Sequence, residues 1–75
     1  MKEFYSIFSV ILNIISDPIF NRLDLDYFDS EKEDMVFNEN YFQTEELALD
    51  FIKLNIDKIP DLRRCNLTIL KFYKF

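Results

Sequence analysis

Between Phe4 and Ile15 the chain is apolar, broken only by Ser6, Ser9 and Asn13. At helical period, Lys2, Ser6, Ser9, Asn13 and Ser16 fall on one narrow polar stripe, with Phe4, Ile7, Phe8, Ile11, Leu12 and Ile15 around the rest. That spacing predicts a helix buried on most of its circumference. The β-branched residues make a strand the main competitor, but strict alternation fails at Val10-Ile11-Leu12 and again at Ile14-Ile15. Asp17-Pro18 ends the segment, because the proline ring disfavours helical geometry at the residue before it.

From Phe20 to Phe28 the period changes to two. Leu23, Leu25 and Tyr27 point one way and Arg22, Asp24 and Asp26 the other, the signature of a half-buried strand. The polar stretch from Asp29 to Asp34 reads as a hairpin loop, and Met35 to Phe42 as the returning strand, interrupted by Asn38 and Asn40. Thr44 is a suitable helix N-cap, and Glu45 and Glu46 sit where the helix dipole favours negative charge. Leu47, Ala48, Phe51, Ile52 and Leu54 then supply a buried face up to about Asp57, and Pro60 closes the element. From Cys65 to Phe75 alternation returns with apolar residues on both faces, as in a strand covered on both sides or covered by a partner.

The predicted order is α-β-β-α-β in a single α+β domain over residues 1–75. Its expected architecture is a three-stranded, mainly antiparallel sheet with the helices packed on one face. The last strand can pair with either strand of the hairpin, and pairing against the first would make that strand central in an antiparallel sheet. Leu25, Phe51, Ile52 and Ile69 are the expected core.

A chain of 75 residues buries only roughly 60–65% of the surface its unfolded form exposes, but nine Phe and four Tyr among 49% hydrophobic residues make a core feasible. Glycine is absent, so turns must rely on Asn, Asp and Ser. This also excludes Gly-rich phosphate loops. The first apolar run is shorter than the ~20 residues a membrane span needs, so no membrane association is expected. Cys65 is the sole cysteine and has no intrachain disulfide partner. A reducing, cytoplasmic setting is the natural one, with Cys65 as a small buried structural thiol.

Catalysis usually draws on histidine, an activated Ser or Cys, or converging carboxylates in a cleft. There is no histidine, so Cys65 has no imidazole to activate it, and zinc has no Cys/His cluster to bind. The run Asp24-x-Asp26 followed by Asp29 and Glu31 invites comparison with a calcium loop, but it lacks the required glycine, and Phe28 occupies a ligand position. The chain is therefore expected not to be an enzyme, with no metal and no cofactor.

Charge changes the picture. From Asp24 to Asp50 there are ten acids against the single base Lys32, a local net of −9. The remainder has four acids against eight bases, a net of +4, so the overall −5 conceals a polarised molecule. Clustered like charges cost stability by self-repulsion, and a complementary basic partner would offset that cost. The expected protein-binding residues are Asp24, Asp26, Asp29, Glu31, Glu33, Asp34, Glu39, Glu45 and Glu46, with Tyr41 as an aromatic anchor. The same charge disfavours direct nucleic-acid binding, which needs clustered Lys and Arg.

In size and acidity the chain resembles small acidic bacterial immunity proteins, although no motif ties it to one family. The leading expectation is an inhibitor, an immunity protein or antitoxin, that covers a basic protein such as a nuclease toxin or another nucleic-acid-binding protein. An anti-CRISPR or anti-restriction DNA mimic is the alternative within the binding class. From a different class comes a structural or regulatory subunit that forms a homodimer through its first helix or last strand.

Overall fold

The computed structural model describes residues 2–74. Its order is β1 (Lys2–Ile11), β2 (Ile19–Arg22), β3 (Tyr27–Asp29), β4 (Asp34–Val36), α1 (Glu45–Asn55), α2 (Asp61–Arg64) and β5 (Leu67–Lys74). The chain is thus α+β with two antiparallel sheets, one of three strands in the order β2-β1-β5 and one hairpin of β3 and β4. Phe75, the last residue of the predicted final strand, lies outside the described residues.

The first segment overturns the predicted helix: it is the central strand of the main sheet. β1 pairs with β5 from Lys2↔Lys74 to Ser9↔Leu67, and with β2 from Phe8↔Arg22 to Ile11↔Ile19. The last strand therefore lies beside this segment and not beside the hairpin. Both faces of β1 are apolar because both are covered to some extent, so the alternation that marks a half-exposed strand is lost. Ile7, level with Ile69, points into the core, whereas Phe4, level with Phe72, points to the opposite face. The serines of the supposed helical stripe divide between those two faces. Ser6 is fully buried and its hydroxyl donates to the Asn40 carbonyl, and the Ser9 hydroxyl donates to the Asn21 carbonyl at 3.4 Å.

The predicted strand from Phe20 to Phe28 is split. Residues 23–26 keep the expected alternation, with Leu23 and Leu25 buried and Asp24 exposed, but they form no regular ladder. Side chains replace it. The Asp26 carboxylate accepts the Asn38 N–H at 2.8 Å, and Asn38 Nδ2 donates to the Leu25 carbonyl at 3.1 Å.

Asn40 completes this pattern where β2 ends and β1 needs a neighbour. Its Oδ1 accepts the Ile7 N–H at 2.8 Å, while its Nδ2 donates to the carbonyls of Ile7 at 2.8 Å and Leu23 at 3.0 Å. One carboxamide thus stands in for a strand backbone. Beyond it, Tyr5 and Phe42 exchange a pair of backbone hydrogen bonds at 2.8 Å. The predicted returning strand from Met35 to Phe42 is a regular strand only at its start, in β4, and the two asparagines that interrupt it hold the path of the rest.

α1 follows its sequence signals closely. Thr44 accepts the Leu47 N–H at 3.1 Å, Glu45 and Glu46 occupy the first turn and Lys53 the last. The helix lies against β1 and β5. The core joins Ile7, Leu23, Leu25, Ala48, Ile59 and Leu62, the last from the short helix α2. Phe51, Ile52 and Ile69 pack against this cluster but are only partly buried, so of the four expected core residues only Leu25 is enclosed. Leu47 and Leu54, placed on the buried face by helical spacing, are exposed.

The hairpin turn pays for the lack of glycine at Glu33, which has φ 53°. That left-handed geometry crowds the Cβ of a non-glycine residue by ~1–2 kcal/mol. Because glycine has more freedom to lose on folding, Glu33→Gly is expected to stabilise by a net of about 0.5–1 kcal/mol. A higher urea midpoint with an unchanged slope would show it.

Candidate protein-binding surface

The carboxylates expected to meet a partner occupy three settings. Asp24 and Asp26 lie in the link between β2 and β3, and Asp29, Glu31, Glu33 and Asp34 form the end of the β3–β4 hairpin. Glu39 follows β4, and Glu45 and Glu46 begin α1. The hairpin end faces the other end of that helix, since Tyr27 to Glu31 line a shallow cleft with Asp57 and Lys58. The eleven residues of α1 span ~16 Å, so the carboxylates of its first turn are set apart from those of the hairpin. The charge is divided among these settings and is not gathered in a single cluster.

Several of these acids are also turn-builders, which sequence spacing did not distinguish from display. Asp24 accepts the Asp26 N–H at 3.0 Å. Asp29 accepts the N–H groups of Glu31 at 3.0 Å and Lys32 at 3.3 Å, and Asp34 accepts its neighbour's N–H at 2.8 Å. These are the local side-chain bonds that Asp supplies where glycine would otherwise shape the turn. Glu31, Glu33 and Glu39 are exposed and make no side-chain hydrogen bond among the described residues.

None of the ten acids between Asp24 and Asp50 takes part in a salt bridge among the described residues. The two ion pairs present, Arg63 with Asp57 and Lys71 with Glu3, lie elsewhere, at 3.9 Å each and well exposed. Asp29 and Asp34 are even direct cross-strand partners, an arrangement that repels.

Tyr41 belongs to a different surface from the hairpin acids. Its hydroxyl accepts from Arg22 at 2.9 Å, and its ring lies 5.8 Å from Phe72 and 6.2 Å from Phe4. The Arg22 guanidinium sits over the rings of Tyr41, Phe72 and Phe8 at 4.9, 5.0 and 5.6 Å. This cluster covers the sheet face turned away from Ile7. Only the period-two series Phe4, Phe8, Val10 pointed to it, and that signal was masked by the helical reading.

Tyr41 also edges a shallow apolar groove with Phe42, Leu47, Phe51 and Leu54, flanked by Asp50. An apolar centre with a polar edge, here Gln43 and Asp50, is the usual anatomy of a protein interface. Among the described residues no group of three or more His, Cys, Asp or Glu could hold a metal ion, and no helix is long and apolar enough to cross a membrane. Cys65, expected to be buried, is half-buried and makes no disulfide among the described residues. No protein-family model, curated protein or solved structure matches the chain.

Proposed function

We propose that this chain is a protein-binding inhibitor that covers a basic surface on a nucleic-acid-acting protein, in the manner of an immunity protein or antitoxin. The observation behind this reading is a stretch of ten acids and one base in which no carboxylate has a salt-bridge partner among the described residues. Unpaired like charge lowers the stability of a small domain, and a basic partner would turn the same field into faster, oriented association. The side chains of Glu31, Glu33 and Glu39 make no turn hydrogen bond among the described residues and supply unpaired charge. The groove beside Tyr41 supplies apolar anchors. On this reading the chain is not an enzyme, needs no cofactor and works in the cytoplasm, where a lone thiol persists.

Capture on the immobilised chain, compared with the Glu31→Lys, Glu33→Lys, Glu39→Lys variant, tests the proposal. The native chain is expected to retain a basic nucleic-acid-acting protein that the variant releases. Retention of the same proteins by both would refute it.

A further inference from the structure

The chain exposes 5959 Å². A folded monomer of its 9.2 kDa mass is expected to expose about 4,900 Å², so roughly 1,000 Å² is in excess. The radius of gyration points the same way, 13.7 Å against about 11 Å for a compact chain of this length. A stable protein interface takes about 800 Å² from each partner. The excess is therefore enough for one.

Much of the apolar part lies in the arm that leaves β1 and returns into β2. Ile11, Leu12, Ile14, Ile15, Ile19 and Phe20 are all exposed, with Ile14 and Ile15 at 103% and 94%. The turn is held locally, by Asn13 Oδ1 accepting the Ile15 N–H at 3.1 Å. Asp17 is the sole ionisable residue between Ile11 and Phe20. β2 itself is paired along one edge only, with β1.

We infer that the arm docks against the arm of a second copy of this chain, forming a two-fold dimer. A two-fold interface sets one patch against itself, so a patch rich in one charge is excluded from it. The acidic hairpin would repel its own copy, and the outer edge of β5 presents Lys71 and Lys74, which discourage edge pairing. The arm meets its copy with a single carboxylate from each side. Homodimer interfaces are also the more apolar kind. The arm contains none of the hairpin acids, so the dimer does not depend on the inhibitor reading.

Sedimentation equilibrium of the native chain and of the Ile14→Asp, Ile15→Asp variant provides the test. The native chain is expected at twice 9.2 kDa with a dissociation constant below ~10 µM, and the variant at 9.2 kDa, weakened at least ~100-fold with an unchanged far-ultraviolet spectrum. In a Cys65→Ser background, Ser16→Cys should form an intermolecular disulfide on oxidation. A native monomer at ~100 µM, a variant that stays dimeric, polydisperse larger species, or a dimer without the Ser16→Cys cross-link would each overturn the arm-to-arm dimer. So would a native monomer that floats with phosphatidylcholine vesicles, which would assign the arm to lipid.

Discussion

Asn40→Ala is expected to cost about 3–5 kcal/mol, because it removes three hydrogen bonds at a site only 7% exposed and leaves the Ile7 N–H and the Leu23 carbonyl without partners. A chain of 75 residues has ~4–11 kcal/mol of stability in all, so the variant should be largely unfolded on warming. Circular dichroism through a urea titration measures the loss, and a change under ~1 kcal/mol would mean that β1 does not rely on this side chain. Asn40→Asp is the sharper probe. Its carboxyl can still accept the Ile7 N–H, but when ionised it sets an oxygen against the carbonyls of Ile7 and Leu23. The folded state then prefers the protonated acid, raising its pKa above the unfolded ~3.9. The stability of the protonated form is fully present below that unfolded value and is lost as pH rises through the raised folded one. The deficit of Asn40→Asp relative to the native chain should accordingly shrink between pH 7 and pH 4. An equal deficit at both would show that the donor side of the amide has no such role.

Ile7→Ala should be nearly as damaging. Ile7 is 0% exposed, sits level with Ile69 on β5 and belongs to the cluster that joins the sheet to α1 through Ala48 and to α2 through Leu62. Truncation of an enclosed Ile costs about 2–5 kcal/mol, and a site bounded by a central strand collapses little, which favours the upper half of that range. Ile7→Val should lose only about 0.5–1.5 kcal/mol. If both variants lost the same small amount in thermal and urea unfolding, Ile7 would not be at the centre of the core.

The unequal legibility of the sequence follows from which signals are local. The Thr44 cap, the acids after it and the end near Pro60 specify α1 within a few residues, and the hairpin loop and final strand are where their patterns place them. β1 was unreadable because a central strand is apolar on both faces. Its serines fell on a helical stripe only because Ser6 and Ser9 serve opposite sides of the sheet. Asn38 and Asn40 looked like interruptions since their partners, Leu25, Ile7 and Leu23, are 13 to 33 positions away. For the binding surface, composition revealed the excess of acid but not the division of labour within it. Spacing cannot distinguish an Asp that accepts its neighbour's N–H from a Glu that faces water. Nor could it show that Tyr41 would turn toward Arg22 and Phe72.

That division of labour makes the proposed function directly testable. The decisive quantity is the association rate of the captured basic partner, measured from low to high salt with the native chain and with the Glu31→Lys, Glu33→Lys, Glu39→Lys variant. Exposed charges act over ~8–10 Å at physiological ionic strength. The native rate is expected to fall steeply as salt rises, and the variant to associate at least ~10-fold more slowly at low salt, the two converging at high salt. Equal association rates at low salt would contradict recognition of a basic partner through these carboxylates.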